Sequence, residues 1–220
     1  MRSRKALLQK SVLYVILDKA VLGRIPLENT AVKLRDSGAD IVQLRDKLSD
    51  KRAVFEEAKR LRGIYAGTKT LFIINDHVDI ALALNCDGVH LGQYDLSLEA
   101  ARRLLGREKI IGISCSTLPQ AREAQENGAD YIGIGPVFPT STKSDAKMIG
   151  LGLIKQCKKK SRIPFFAIGG IDTQSLSAVL TAGAGRVCVC GAILKARNIS
   201  HTVGQFKQIM NIGADKIAAA

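Results

Sequence analysis

The sequence predicts an α/β protein folded as one (β/α)8 TIM barrel. Eight short apolar runs rich in β-forming residues recur along the 220 residues, and longer segments with helical spacing separate them. Strands that alternate with helices imply parallel pairing through right-handed crossovers. Eight such units in a chain of this length favour a closed barrel, and an open doubly wound sheet is the alternative.

The predicted strands are apolar almost throughout, which is typical of a sheet that is buried on both faces. They cover residues 13–17, 41–44, 71–74, 88–91, 110–113, 131–134, 165–168 and 187–190. Apolar residues at a helical period predict helices over 27–35, 54–61, 98–105 and 176–180. Ser49 is a candidate N-cap for the second of these helices.

Three similar four-residue phrases each stand between a helix and the next strand. They are residues 37–40, 127–130 and 182–185, and each contains a glycine that would end the helix in a left-handed turn. We interpret the similarity of these three phrases as the internal repeat of the barrel. No linker interrupts the chain, so residues 1–220 are predicted to form one domain, with a short basic segment at 1–11 and the barrel at about 12–213.

The composition is that of an ordinary globular protein, with 46% hydrophobic and 24% charged residues. No apolar run reaches the roughly 18 residues of a membrane span, and the apolar stretch after the basic N-terminus is too short for a signal-peptide core. We therefore expect a cytoplasmic protein with no membrane partner. The odd number of cysteines and the lack of a C-x-x-C pair predict reduced, buried thiols at Cys86, Cys115, Cys157, Cys188 and Cys190.

The net charge is +13, which an anionic substrate, nucleic acid or simply a basic surface could explain. The densest cluster of cations lies on a predicted helix end, where positive charge suits the helix dipole. It comprises Lys155, Lys158, Lys159, Lys160 and Arg162. Four tyrosines, six phenylalanines and no tryptophan offer few stacking platforms for bases, so no nucleic-acid partner is expected.

Barrels carry their chemistry at the C-terminal ends of the strands, and the second strand ends in a polar run. Gln43, Arg45 and Lys47 are two residues apart, so a continuous strand would point all three the same way. Two cations and an amide on an inward face are costly without an anion, and phosphate oxygens suit them. A structural ion pair with barrel carboxylates is the alternative.

Two acidic residues follow the third and fourth strands, Asp76 and Asp95. Adjacent parallel strands would deliver both to the same mouth of the barrel. Mg²⁺ takes one or two carboxylates together with substrate phosphate oxygens and waters, so the pair predicts a site for a diphosphate–Mg²⁺ complex. The alternative makes Asp76 the N-cap of the next helix, and Asp79 is expected inside that helix.

The remaining strand ends carry further candidates for anion binding. Ser114 on the fifth strand can donate to an oxyanion. Neither a nearby histidine nor a Gly-x-Ser-x-Gly frame supports a nucleophile there, so no hydrolase is predicted. The loop after the sixth strand is long, bears hydroxyls and Lys143, and is expected to close over an anion unless it is a plain solvent loop. Glycine turns after the last two strands, at Gly169, Gly170 and Gly191, suit phosphate binding by backbone amides.

Together these motifs resemble the thiamine-phosphate synthase family over residues 14–196. The likeness is carried by the runs 43–47, 75–76, 87–93 with Asp95, 135–143 and 168–171. The resemblance implies an enzyme that joins a hydroxymethylpyrimidine diphosphate to a thiazole phosphate. The products would be thiamine phosphate and diphosphate, formed through Mg²⁺-assisted diphosphate departure and a pyrimidine carbocation.

The resemblance also implies roles for individual residues. The residues expected to contact the pyrimidine diphosphate are Gln43, Arg45, Lys47 and Asn75. The residues expected to bind Mg²⁺ are Asp76 and Asp95. Contacts to diphosphate fall to Ser114 and Lys143. Contacts to thiazole phosphate fall to Thr140, Ser141, Thr142, Gly170, Cys190 and Gly191, and the neighbours Leu44, Asp46 and Gly169 complete the expected binding set. The catalytic candidates are Lys143, Ser114, Arg45 and Lys47.

The sequence departs from the family pattern at three positions. His77 stands where the family usually has arginine, Ser116 where it often has histidine, and Gly191 where it usually has serine. The rival enzyme is a thiazole tautomerase on the same barrel, which would lack the acidic pair and use a histidine near the strand-five serine. The rival without catalysis is a barrel that binds phosphate ligands or nucleic acid. The sequence does not determine whether the protein forms a homo-oligomer.

Overall fold

The computed structural model describes residues 3–140 and 148–218, with side chains described as far as residue 212. Its strands pair in parallel, each with the next along the chain, and the first pairs with the last to close the barrel. Closure confirms the predicted barrel and rules out the open sheet. The strands are β1 Leu13–Asp18, β2 Ile41–Arg45, β3 Leu71–Asn75, β4 Gly88–Leu91, β5 Ile110–Cys115, β6 Tyr131–Ile134, β7 Phe165–Ile168 and β8 Val187–Val189.

Helices cover the outside of the barrel and connect the strands. They are α1 Arg4–Lys10, α2 Lys19–Leu22, α3 Leu27–Asp36, α4 Lys51–Tyr65, α5 Val78–Ala83, α6 Leu98–Leu105, α7 Leu118–Glu126, α8 Gly150–Lys160, α9 Leu176–Thr181, α10 Gly191–Leu194 and α11 Ile199–Ala218. No helix in the part of the chain that the structure describes is long and apolar enough to cross a bilayer.

The core has two layers because successive strand residues point to opposite faces. The outer layer lies between the sheet and the helices and includes Leu17, Val42 and Leu44. The inner layer fills the barrel and contains an aromatic group of Tyr14, Tyr131 and Phe166 with ring centroids 5.5–5.8 Å apart in edge-on geometry. The barrel is therefore a packed core, with space for ligands at its mouth.

The repeated phrases behave as the sequence predicts. Gly38, Gly128 and Gly183 end their helices with φ of +85°, +86° and +103°. The aspartates of the first two phrases have a further task at the N-terminal end of the barrel. Asp40 accepts hydrogen bonds from the amides of Val12 and Leu13, both at 2.9 Å, and so ties the end of one helix to the start of another strand.

The expected cap of α4 is wrong by one residue. Asp50, rather than Ser49, is the N-cap, and its carboxylate accepts from the Ala53 amide at 2.9 Å. The Ser49 hydroxyl instead accepts from the Lys19 ammonium at 2.9 Å. Either side chain can cap a helix, so the sequence does not separate them; the backbone position decides.

The basic N-terminal segment includes α1, which closes the N-terminal end of the barrel. Leu8 is 1% exposed and packs with the inner core layer. Around it, Arg4 pairs with the buried Asp87 at 2.6 Å and Lys5 pairs with Asp130 at 2.9 Å. Arg186 donates to two main-chain carbonyls of the segment, those of Gln9 and Ser11. The segment is therefore part of the folded unit.

Candidate functional site

A cavity of about 1160 Å³ opens at the C-terminal ends of the strands, where barrel chemistry is expected. Its wall comes mainly from the ends of β4 to β8 and from α8. Eight of the predicted site residues line it: Arg45, Asp95, Ser114, Thr140, Gly169, Gly170, Cys190 and Gly191. The described part of the chain thus brings residues predicted from six strand ends to one mouth.

The two predicted metal ligands lie side by side at this mouth. The carboxylates of Asp76 and Asp95 are within hydrogen-bonding reach of each other, and Lys47 bonds to Asp76 Oδ2. Burial raises the pKa of Asp76, the Lys47 ammonium lowers it and the neighbouring Asp95 raises it, so that the net pKa is above its usual value. Two carboxylates held together in this way are stabilised by a cation between them.

Backbone geometry aims both acids. Asp76 has φ +61°, an uncommon conformation for a residue with a side chain, directly after β3. Asp95 Oδ2 accepts from the Gly92 amide at 2.7 Å, which fixes its loop after β4. The alternative of Asp76 as a helix cap is wrong, since His77 occupies the N-cap position of α5 and no side chain caps that helix. Asp79 lies inside α5, as expected, and pairs with Lys51 at 2.9 Å.

The end of β2 divides its polar residues between the barrel interior and the mouth. Gln43 points inward and donates to the Tyr14 hydroxyl, while Arg45 pairs with Asp18 at 2.5 Å and lines the cavity. The predicted ion pair is therefore present at Arg45. Lys47 lies beyond the end of β2, so strand alternation does not place it, and the expectation of one continuous face for all three residues is wrong there.

Leu44 and Asp46 were expected in the substrate-binding set, but their side chains do not face the cavity. Leu44 alternates with the inward Gln43, so its side chain is buried in the outer core layer. The Asp46 carboxylate is also buried and accepts from the amides of Leu48 and Ser49 at 2.9 and 3.0 Å. Lys19 lies 3.1 Å from its other oxygen. Asp46 therefore shapes the loop after β2 and does not face the cavity.

Ser114 lines the cavity and is held on two sides, by a residue of β4 and by one of the loop after β4. His90 Nε2 lies 2.9 Å from its hydroxyl, and the Gln93 side chain donates to its carbonyl at 2.7 Å. His90 Nδ1 in turn lies 3.0 Å from the Tyr131 hydroxyl. The expectation that no histidine lies near Ser114 is wrong, because barrel closure brings His90 beside it. Tyr131 and Tyr14 had no predicted role. The alternation of side chains along the strands could have indicated these residues, because every second residue of a strand points into the barrel.

Glycine is required in the turn after β7 because another loop lies against it. Gly169 and Gly170 have φ of +99° and +63°. A Cβ atom at Gly170 would lie 2.4 Å from the Pro139 carbonyl oxygen, and one at Gly169 would lie 2.5 Å from Pro136. At Gly191, by contrast, a Cβ atom would meet nothing within 4 Å, so the serine usual in the family would fit.

Several other predicted residues have clear positions. Asn75 ends β3, half-buried, and Thr140 lies at the cavity wall. Ser116 also lines the cavity, and its amide and hydroxyl both donate to the Gln120 side chain, at 2.8 and 3.1 Å. The predictions for Ser141, Thr142 and Lys143, and the expected closure of their loop, lie outside the described residues.

The cysteines offer no activated nucleophile. All five are free, and only Cys190 is more than marginally exposed. Burial raises the pKa of the Cys115 thiol to about 12, although this residue lies at the cavity wall. A thiol with that pKa is protonated at neutral pH, so covalent catalysis through Cys115 has no support.

Comparison with known proteins decides the family. A family model described as thiamine monophosphate synthase matches residues 13–193. The chain belongs to this family. The thiamine-phosphate synthase of Halalkalibacterium halodurans is 43% identical over 199 residues, which are 90% of this chain and 88% of that protein.

Other members of the thiamine monophosphate synthase family match nearly the whole chain. The thiamine-phosphate synthase of Coprothermobacter proteolyticus is 38% identical over 96% of this chain and 100% of that protein. The solved structure of a thiamine phosphate pyrophosphorylase from Pyrococcus furiosus superposes with a TM-score of 0.85 at 34% identity, over 96% of this chain and 98% of that one. As a member of the family, the chain is an enzyme of the transferase class.

Proposed function

We propose that the protein joins a hydroxymethylpyrimidine diphosphate to a thiazole phosphate, forming thiamine phosphate and releasing diphosphate. The observation that carries the proposal is the paired carboxylates of Asp76 and Asp95, which adjoin Lys47 at the mouth of the cavity. Neighbouring carboxylates with hard oxygen donors fit Mg²⁺. Both the donor type and the mutual repulsion favour a divalent cation bound jointly with substrate phosphate oxygens.

The chemistry breaks one bond and forms one. The C–O bond between the pyrimidine methylene and the diphosphate breaks, and its electron pair leaves with the diphosphate. The methylene carbon, left as a carbocation that the pyrimidine stabilises, accepts the lone pair of the thiazole nitrogen as the new C–N bond. Mg²⁺ held by Asp76 and Asp95 would supply positive charge for the departing diphosphate.

The protein's own residues would position the reactants and stabilise charge. Arg45 and Ser114 line the cavity and offer hydrogen-bond donors to the diphosphate, and Lys47 adds positive charge beside the acidic pair. The turns at Gly169, Gly170 and Gly191 would hold the thiazole phosphate through backbone amides across the cavity. No protein nucleophile is needed, since the two reactants bond directly to each other.

The test is to incubate the purified protein with both heterocyclic substrates and Mg²⁺ and to measure thiamine phosphate and diphosphate. We expect the two products in equal amounts and none when either substrate is omitted. One feature fits the rival tautomerase, namely that His90 lies beside Ser114. Thiazole phosphate alone therefore serves as a further arm, monitored for isomerisation. Isomerisation without thiamine phosphate formation would contradict the proposal.

A further inference from the structure

A chain of four hydrogen bonds crosses the interior of the barrel and ends at the cavity. Gln43 Nε2 donates to the Tyr14 hydroxyl, which lies 3.0 Å from the Tyr131 hydroxyl. Tyr131 lies 3.0 Å from His90 Nδ1, and His90 Nε2 lies 2.9 Å from Ser114 Oγ. Four strands, β1, β2, β4 and β6, contribute side chains that converge on Ser114 of β5.

The interior links of this chain are shielded from water. Gln43, Tyr14 and Tyr131 are 2%, 1% and 0% exposed. Burial raises the pKa of both tyrosines well above the usual value, so each phenol keeps its proton. The neighbouring strand leaves room for the ring of Tyr131, because a Cβ atom at Gly112 would lie 2.0 Å from its Cζ.

The donors and acceptors along the chain fix its direction. The amide N–H of Gln43 can only donate, so the Tyr14 oxygen accepts and its single proton is left for Tyr131. With the Gln43 amide oriented in this way, Tyr131 would accept from Tyr14 and donate its own proton to His90 Nδ1. The imidazole proton must then stand on Nε2, where it is donated to the Ser114 oxygen. Ser114 keeps its own proton for a partner in the cavity that it lines.

We propose that Tyr14, Tyr131 and His90 are positioning residues that fix the Nε2–H tautomer of His90 and thereby turn the Ser114 hydroxyl proton toward an anion in the cavity. The identity of that anion as the departing diphosphate rests on the proposed function; the tautomer does not. Gln93, in the loop after β4, completes the arrangement by donating to the Ser114 carbonyl, so that the main chain of Ser114 is held as well as its hydroxyl.

The tautomer is tested directly by ¹⁵N NMR of the full chain labelled at its histidine rings, with the His90 signals assigned by a His90→Gln variant. We expect a protonated Nε2 and an unprotonated Nδ1 in the wild-type protein at neutral pH. Tyr131→Phe removes only the hydroxyl and should release this preference. A wild-type His90 protonated on Nδ1 overturns the proposal, whether or not the variant folds.

Tyr65→Phe is the matched control. It also removes a buried tyrosine hydroxyl with a hydrogen bond, to the Ala31 carbonyl at 3.1 Å, but it lies in the outer core layer. This variant should leave the His90 signals and the turnover unchanged. An equal loss of turnover in Tyr65→Phe and Tyr131→Phe would show a general packing effect and overturn the positioning role.

Kinetic measurements test whether this series of hydrogen bonds affects turnover through Ser114. Tyr131→Phe should lower kcat on the order of 10-fold, by analogy with the roughly 10–100-fold losses on removing a hydrogen-bond partner of a metal-bound histidine, with the KM for thiazole phosphate unchanged. In a Ser114→Ala background the same substitution should have no further effect. Additive losses would overturn the proposal. Wild-type protein that makes no thiamine phosphate contradicts the proposed function alone, and the NMR result then still decides the tautomer.

Discussion

At the scale of single residues, the acidic pair shows how chain geometry creates a site. Asp76 and Asp95 belong to consecutive strands, and the unusual backbone of Asp76 turns its carboxylate toward its neighbour. Among the residues that the structure describes, Lys47 forms an ion pair with the Asp76 carboxylate. A lysine and a divalent cation can both stabilise the pair, so under the proposed function Lys47 would be available to contact substrate phosphate if Mg²⁺ took its place beside the carboxylates.

Asp76→Asn should therefore cut turnover severely while the fold survives, because it removes a charged ligand without changing size. The loss should be on the order of 10²–10³-fold in kcat, the scale for one transition-state charge contact. Steady-state kinetics over a range of Mg²⁺ concentrations checks this, with circular dichroism as the measure of folding. Full activity of the variant in the presence of a chelator would exclude the metal assignment.

Asp46 carries a prediction about stability and pH. Burial by itself raises the pKa of Asp46, but hydrogen bonds from Ser49, the Leu48 amide and Lys19 outweigh it and lower the pKa from 3.8 to about 2. A carboxylate with a depressed pKa in the folded state stabilises the protein at pH above the unfolded value, and this contribution is lost as the pH falls from about 4 to about 2. It corresponds to about 2 kcal/mol.

Asp46→Asn should lower the free energy of unfolding by this order at neutral pH, and the two urea curves should converge near pH 2. Asp36→Asn is the control, because the Asp36 side chain, which pairs with Arg35, is 59% exposed and the pair is screened by solvent. That variant should change stability little. A gap between wild type and Asp46→Asn that is constant from neutral pH to pH 2 would contradict the linkage.

Lys143 is one of the predicted contacts, with Ser141 and Thr142, that lie outside the described residues. If its ammonium meets the departing diphosphate, Lys143→Ala should lower kcat on the order of 10²–10³-fold while thiazole phosphate binding changes much less. Single-turnover kinetics and a separate binding titration with thiazole phosphate distinguish the two effects. Lys155→Ala, in the basic cluster of α8, is the control for net charge. Normal turnover of Lys143→Ala would show that the loop is only a connection.

At the scale of elements, α1 closes the end of the barrel opposite the cavity. Its Leu8 completes the inner core layer, and its charged residues reach Asp87 and Asp130. Asp87 also accepts from the Phe72 amide at 2.8 Å, so the helix holds a carboxylate that already fixes the start of β3. The helix is thus a structural cap whose loss would be felt in the sheet.

Leu8→Ala should destabilise the protein by roughly 2–5 kcal/mol, the range for removing a buried leucine side chain. Thermal unfolding measures the effect, and Lys10→Ala on the exposed side of the same helix is the control. Turnover at low temperature should be retained, because α1 lies at the opposite end from the cavity. A melting temperature equal to that of Lys10→Ala would mean that α1 does not contribute to the core.

At the scale of the whole molecule, barrel closure gathers distant segments into two ends with different tasks. The N-terminal end is tied by Asp40, Asp87 and Asp130, each of which accepts main-chain amides at the start of a strand. The C-terminal end carries the cavity and the acidic pair. The three carboxylates at the N-terminal end therefore serve stability, whereas the C-terminal end combines the acidic pair with a stabilising carboxylate at Asp46.

The amino-acid sequence was enough to predict the barrel, the order of its strands, and most of the strand ends that line the cavity. Apolar periodicity and glycine turns act over a few residues, so a local pattern carries them. Local reasoning was wrong for the cap at Ser49, because adjacent positions offer equally good caps and only the backbone distinguishes them. The family resemblance did not indicate that the side chains of Leu44 and Asp46 are buried away from the cavity.

The polar contacts inside the barrel could not be predicted from the sequence and are visible only in the folded structure. Tyr14 and Tyr131 are 117 positions apart, yet their hydroxyls lie 3.0 Å from each other and connect Gln43 to the histidine beside Ser114. It also decided that a basic N-terminal segment caps the core. Such contacts depend on the register and tilt with which eight strands close, and these follow from packing of the whole chain rather than from any local spacing.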